Sequence, residues 1–194
     1  MAHPRDAGGA AVRPGPGRRG TARILPARVL LALAVTTLCG CPFSSDKPLS
    51  DPAAAVPDSR LVGTWRTQDP ETGESNTLAI LAFNEHEMVG FTWEKNPDRV
   101  IAFRLFPTTI GADRFLSFQE LGDTEKGWYY ARYEIAHDRL RLKIVDDGLF
   151  GDRQFSASSQ LADFVRQHLS DPLLYAREGD QPSESDWERV NGST

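Results

Sequence analysis

Residues 128–145 read Trp128-Tyr129-Tyr130-Ala131-Arg132-Tyr133-Glu134-Ile135-Ala136-His137-Asp138-Arg139-Leu140-Arg141-Leu142-Lys143-Ile144-Val145, and their pattern decides the fold. Tyr129, Ala131, Tyr133 and Ile135 share one face of the first half. Leu140, Leu142 and Ile144 share one face of the second, opposite Arg139, Arg141 and Lys143. A period of two on both sides of a His137-Asp138 turn predicts an antiparallel hairpin with one wet face.

Upstream, segments of the same kind recur between turn-forming residues. They are Leu61–Arg66, Thr77–Phe83, Met88–Lys95, Val100–Phe106 and Arg114–Leu121. Asp69-Pro70-Glu71-Thr72-Gly73, Asn84-Glu85-His86-Glu87, Asn96-Pro97-Asp98 and Gly111-Ala112-Asp113 separate them, and a polar loop spans Gly122 to Gly127. Many short strands at regular spacing predict a mainly β fold, a sandwich or barrel and not a βαβ fold.

Downstream, Asp146 to Phe155 leaves room for a further short strand. One helix then breaks the series. After Ser156 or Ser158 as N-cap, Leu161, Phe164, Val165, His168 and Leu169 recur at helical spacing, and Asp171-Pro172 stops it. Such a helix lies on a sheet or plugs a barrel mouth. Leu173-Leu174-Tyr175 and Trp187-Glu188-Arg189-Val190 are short apolar returns.

The N-terminal side has a different character. Val29 to Leu38 is a ten-residue apolar run, preceded by Arg13, Arg18, Arg19, Arg23 and Arg28 and closed by Leu38-Cys39-Gly40-Cys41. A basic stretch, a short apolar stretch and small residues form an export layout. A spanning helix needs about 20 residues, so this run is too short to be the chain's own span. Leu38 to Cys41 resembles the bacterial lipoprotein signal, with Leu at −3, a small residue at −1 and Cys at +1. The resemblance implies cleavage before Cys41, a diacylglycerol thioether on Cys41, and a chain held on the cell-envelope membrane facing the periplasm. Pro42 stands where an Asp would signal inner-membrane retention in enterobacteria, so the outer membrane is favoured where the host has one.

The expected organisation is a signal peptide over 1–40, the lipidated Cys41 and a disordered tether over 41–58, and a folded domain over 59–190. The tether is read from Pro42, Pro48, Pro52 and Pro57 with Ser, Asp and Ala between them. Seventeen coil residues reach about 23 Å, which holds the domain clear of the bilayer.

Charge excludes some functions. The leader holds six Arg and one Asp, so of 22 Lys and Arg and 27 Asp and Glu the mature chain keeps 16 and 26, a net charge of −10. That is the wrong sign for nucleic acid or for a polybasic membrane anchor. The two cysteines are Cys39, discarded, and Cys41, acylated, which leaves no disulfide, thiol nucleophile or Cys metal site.

Chemical motifs are absent or incomplete. His86-Glu87 starts like a zinc-protease helix, but Gly90 stands where the second His belongs. Asp146-Asp147-Gly148 starts like a calcium loop, but Gly148 replaces the second acid. His137 and His168 read as a turn residue and a half-buried helix residue. Glu85/Glu87 and Glu120/Asp123/Glu125 form carboxylate pairs of the kind a chain with 26 acids produces by composition. No serine-nucleophile, phosphate-loop or dinucleotide motif occurs. The expectation is a binding protein, not an enzyme, with no cofactor and no metal.

Gly63-Thr64-Trp65 on the first strand resembles the Gly-x-Trp motif of the lipocalins. The later order, a Tyr-rich hairpin, one helix and a terminal aromatic-x-Arg, is similar to lipocalin-like bacterial lipoproteins. The resemblance covers Ser59 to Val190. It implies an antiparallel β-barrel of about eight strands with one C-terminal helix, closed where Arg189 lies over Trp65. A lipocalin disulfide is excluded, and the second motif, Thr-Asp-Tyr, is absent.

Trp65, Phe91, Trp93, Phe103, Phe118, Trp128, Tyr130 and Tyr133 then fill the barrel or line a pocket. Phe91, Trp93, Phe103 and Tyr133 are the candidate ligand-lining residues. Two functions follow: binding an apolar ligand or lipid inside the barrel, or meeting an envelope protein through the outside of a packed barrel.

Overall fold

A computed structural model of the chain describes residues 42–68, 73–94, 100–122, 127–176 and 184–190. The expected signal peptide, 1–40, and Cys41 lie outside the described residues. Among the described residues there are nine strands: β1 (Ser44–Ser45), β2 (Gly63–Gln68), β3 (Ser75–Ala82), β4 (Met88–Glu94), β5 (Ile101–Ile110), β6 (Asp113–Glu120), β7 (Trp128–Ala136), β8 (Arg139–Ile144) and β9 (Glu184–Arg189). One α-helix, α1 (Ser158–Gln167), precedes β9. No helix among the described residues is long and apolar enough to cross a membrane.

Strands β2 to β8 each pair with the next, and β9 enters between β2 and β8 and closes the ring. All pairings are antiparallel, so the eight strands β2–β9 form a closed barrel with no long free edge. Outer-face charges reinforce the last seam: Arg139 meets Glu188 at 2.9 Å and Arg141 meets Asp186 at 3.0 Å, each directly across the β8–β9 ladder. These exposed pairs contribute at most about 1 kcal/mol each.

Period two places Leu78 and Ile80, Ile101, Phe103 and Leu105, Tyr133 and Leu140 inside, packed around Leu61, Trp65 and Met88. The turns β3–β4, β5–β6 and β7–β8 lie at one end with the chain entry at Leu61, and this is the closed end. His137 in the β7–β8 turn has φ +55°, and Gly111 in the β5–β6 turn has +65°. Residues 69–72, 95–99 and 123–126 lie outside the described residues.

A second core lies outside the barrel. β5, β6 and β7 are apolar on both faces over part of their length: Phe106 and Ile110, Phe115, Trp128 and Tyr130 point outward and are still buried. Leu161, Ala162 and Val165 of α1 cover them, with Phe150, Leu174 and Tyr175. The helix therefore lies on the sheet and does not plug the mouth. Pro107 extends β5 past Met88↔Leu105, the last β4–β5 pair on that side. A missing N–H costs no ladder bond there.

Three expectations need correction. The stretch 42–58 is not a tether but the other cover of the second core. Phe43 and Leu49 are 7% and 1% exposed, and β1 pairs with Trp128 and Tyr129. Leu49 N–H donates to Ser117 Oγ at 3.1 Å, and the Tyr130 hydroxyl donates to the Lys47 carbonyl. The prolines break period without preventing burial, because Pro52 sits in the first turn of a short 3₁₀ helix capped by Asp51, where its missing N–H is not needed.

Asp146 to Phe155 holds a 3₁₀ turn, Asp147–Leu149, and no strand among the described residues. The N-cap of α1 is Ala157, without a side-chain bond. Instead Gln160 Oε1 accepts from Ser156 N–H at 3.1 Å and from its hydroxyl at 2.9 Å.

Candidate functional site

The closed end gathers charge around one carboxylate. Asp58 caps the 3₁₀ turn Ser59–Leu61 by accepting from Arg60 N–H at 3.1 Å. Its oxygens also accept from Arg60 Nε at 2.9 Å and Nη2 at 2.7 Å, a bidentate fork. Arg114 Nη1 on β6 and the Tyr133 hydroxyl on β7, the latter at 3.2 Å, complete its shell.

The Asp58 side chain is only 8% exposed. The hydrogen bonds from Arg60, stronger than the cost of burial, hold its carboxyl well down, at about 2. Burial, with the Asp58 charge adding to it, pushes the Tyr133 phenol up to about 12.

This cluster forms the floor of a cleft of about 650 Å³ bounded by Ser50, residues 54–60, Pro107 to Thr109, Arg114 and Tyr133. Ser50 and Thr108 hydroxyls bond across its wall at 2.7 Å. Two half-exposed guanidiniums against one carboxylate leave the rim with a net positive charge. Chemically it suits a small anion or an acidic side chain. Val56, 81% exposed, lines this cleft, and Phe83, 70% exposed, lies in the β3–β4 turn at the same end. His86 Nδ1 and the Ala55 carbonyl, 3.0 Å apart, bring their two segments together.

Trp65 and Arg189 lie at the same end. Trp65 is fully buried and donates its Nε1–H to the Leu61 carbonyl at 2.8 Å. Arg189 Cζ stands 4.1 Å from the centre of the Trp65 ring. The guanidinium donates to the carbonyls of Val62 at 2.9 Å and Arg60 at 2.6 Å. Gly63 makes the approach feasible, since a Cβ there would lie 2.4 Å from Arg189 Nη1.

The four ligand-lining candidates divide. Phe103 and Tyr133 point into the barrel and are 6% and 3% exposed. Phe91 and Trp93 do not share their face: on β4 the inward positions are Met88, Gly90 and Thr92, opposite Leu105, Phe103 and Ile101, so Phe91 and Trp93 point outward. Trp128 and Tyr130 are outward too, in the second core. Alternation alone does not say which face is inner when both carry aromatics, and β4 inverts the hydrophobic expectation.

Sequence reasoning missed Asp58 and Arg114. Asp58 was the last residue of the expected tether, although Asp58-Ser59-Arg60 before an apolar strand is itself a cap signal. His86 and His168 are engaged with backbone carbonyls, His168 Nδ1 with Phe164 at 2.8 Å. Among the described residues no three His, Asp or Glu side chains converge on a metal position. Comparison of the chain with family models, with curated proteins and with solved structures returns no match in any of the three.

Proposed function

We propose that the mature chain is a lipid-anchored cell-envelope protein, lipocalin-like in design, whose barrel is a packed scaffold and whose outer surface binds another envelope protein. The observation that carries this reading is the occupancy of the barrel's closed half. Leu61, Trp65, Met88 and Leu140 are wholly buried against one another, as in small barrels filled by their own side chains. Exposed Val56 beside Arg60 and Arg114 in the cleft lining, with exposed Phe83 in the β3–β4 turn at the same end, puts apolar and cationic elements on the outside, a composition suited to a protein partner. The anchor is argued from Leu38 to Cys41, and the reading involves no catalysis, cofactor or nucleic acid.

A second reading, an apolar ligand or lipid held inside, is supported at the opposite end. There Phe118 and Tyr129 are only partly buried, and their rings stack at 5.8 Å next to Phe103. Native mass spectrometry of the mature protein separates the two. A protein mass without adduct across several preparations supports the packed scaffold, whereas a recurrent lipid adduct supports the carrier.

A further inference from the structure

We propose that the barrel is seated directly on the bilayer, without a spacer, on the flank where Pro42 joins Asp146. The proposal rests on the reading that Cys41 carries the lipid, and it concerns what lies next to that lipid.

Pro42 bridges Asp146, and Phe43 N–H donates to the Val145 carbonyl at 3.0 Å. Phe43 is buried, its ring stacked on Phe150 with centroids 3.6 Å apart. Ser44 and Ser45 then pair with Tyr129 and Trp128. The backbone is thus fixed to the body from the first residue after Cys41, and one trans peptide step spans about 3.8 Å. A free tether over the same residues would have reached about 23 Å. The acyl chains can therefore enter a membrane only if this flank comes down to the headgroups.

The surface at that point is an open cleft of about 630 Å³ between residues 43–47 and 153–156. Lys47 and Arg153 are its cations, with Asp46 bound to Lys47 at 2.8 Å and Asp152 adjoining. The acids offset the cations, so chain length and not charge sets the contact. β7 runs from Tyr129 beside this flank to Ala136, seven steps or about 23 Å away, at the closed end. The seated barrel would thus hold the Asp58 cleft, Val56 and Phe83 away from the membrane, toward a partner.

The test uses the full lipidated protein in phosphatidylcholine vesicles that contain a headgroup-nitroxide lipid. Gln154→Cys, beside the anchor, and Ala136→Cys, at the closed end, are each labelled with a fluorophore; both positions are exposed. Quenching several-fold stronger at 154 than at 136 is expected. A fifteen-residue Gly/Ser insertion between Cys41 and Pro42, with a reach of about 21 Å, should remove most of that difference. Equal quenching at the two positions in protein of verified acylated mass overturns the seating and leaves the lipoprotein reading intact. Quenching unchanged by the insertion also overturns it, because chain length would then not be the cause. Protein without an acyl mass overturns both.

Discussion

Arg189 lies over Trp65 at the seam where β9 meets β2, its guanidinium carbon 4.1 Å from the ring centre and the two residues directly opposite in the ladder. The contact joins a late residue to an early one and satisfies two carbonyls of the entering chain. Arg189→Ala should cost about 1–3 kcal/mol from stacking and hydrogen bonds together. At about 2–4 °C per kcal/mol, the melting temperature falls by several degrees. Arg189→Lys should restore only part, because an ammonium does not stack flat or fork to two carbonyls. Melting of all three proteins at one temperature would contradict a closing role.

Gly63 supplies the space for that contact. At φ +146° a side chain is strained, and the added Cβ would also meet Arg189 Nη1. Gly63→Ala should destabilise by more than about 1 kcal/mol. Combined with Arg189→Ala, the loss should be smaller than the sum of the two, because the clash disappears with the guanidinium. Strict additivity in urea unfolding would show that the two residues do not meet.

Asp58 and Tyr133 make stability depend on pH at both extremes. The Asp58 carboxyl is held below its ordinary value, so its contribution is complete above about 4 and disappears as pH falls toward about 2. The Tyr133 phenol is raised, so its contribution is complete below about 10 and is lost as pH rises toward about 12. Asp58→Asn should flatten the acid limb of a stability–pH curve, and Tyr133→Phe the alkaline limb. An acid limb of the same slope in Asp58→Asn would place the acid sensitivity elsewhere.

The segment 42–58 behaves as core, not linker. Leu49 is 1% exposed and belongs to the core cluster that includes Phe106, Phe115 and Leu161. Leu49→Ala should cost about 2–5 kcal/mol, the ordinary range for a buried leucine. A tether would give no change, and equal melting of the variant and the parent protein would reinstate it.

What the sequence made legible followed from local rules. The hairpin 128–144 declared itself because period two is visible wherever one face is wet, and β8 with its Arg139, Arg141 and Lys143 has such a face. Barrel closure was approachable through Gly63, Trp65 and Arg189, whose chemistry pairs a gap, a ring and a flat cation. The second core was not legible. Phe106, Phe115, Trp128 and Tyr130 sit on strands buried on both faces, where alternation loses its contrast. The same loss of contrast put Phe91 and Trp93 on the wrong side of β4. Pro-rich composition hid 42–58, since nothing local reveals that Phe43 and Leu49 will find an apolar sheet far later in the chain. Asp58 was hidden with them, and so was the cleft.

Lipidation at Cys41 is the claim on which location, seating and the outward-facing cleft all depend. The direct measurement is radiolabelled palmitate incorporation in cells that express the full chain, compared with Cys41→Ser. The expected result is a labelled, membrane-associated mature form, and an unlabelled form with its leader uncleaved by the lipoprotein peptidase in the variant. Equal label in the two would contradict it.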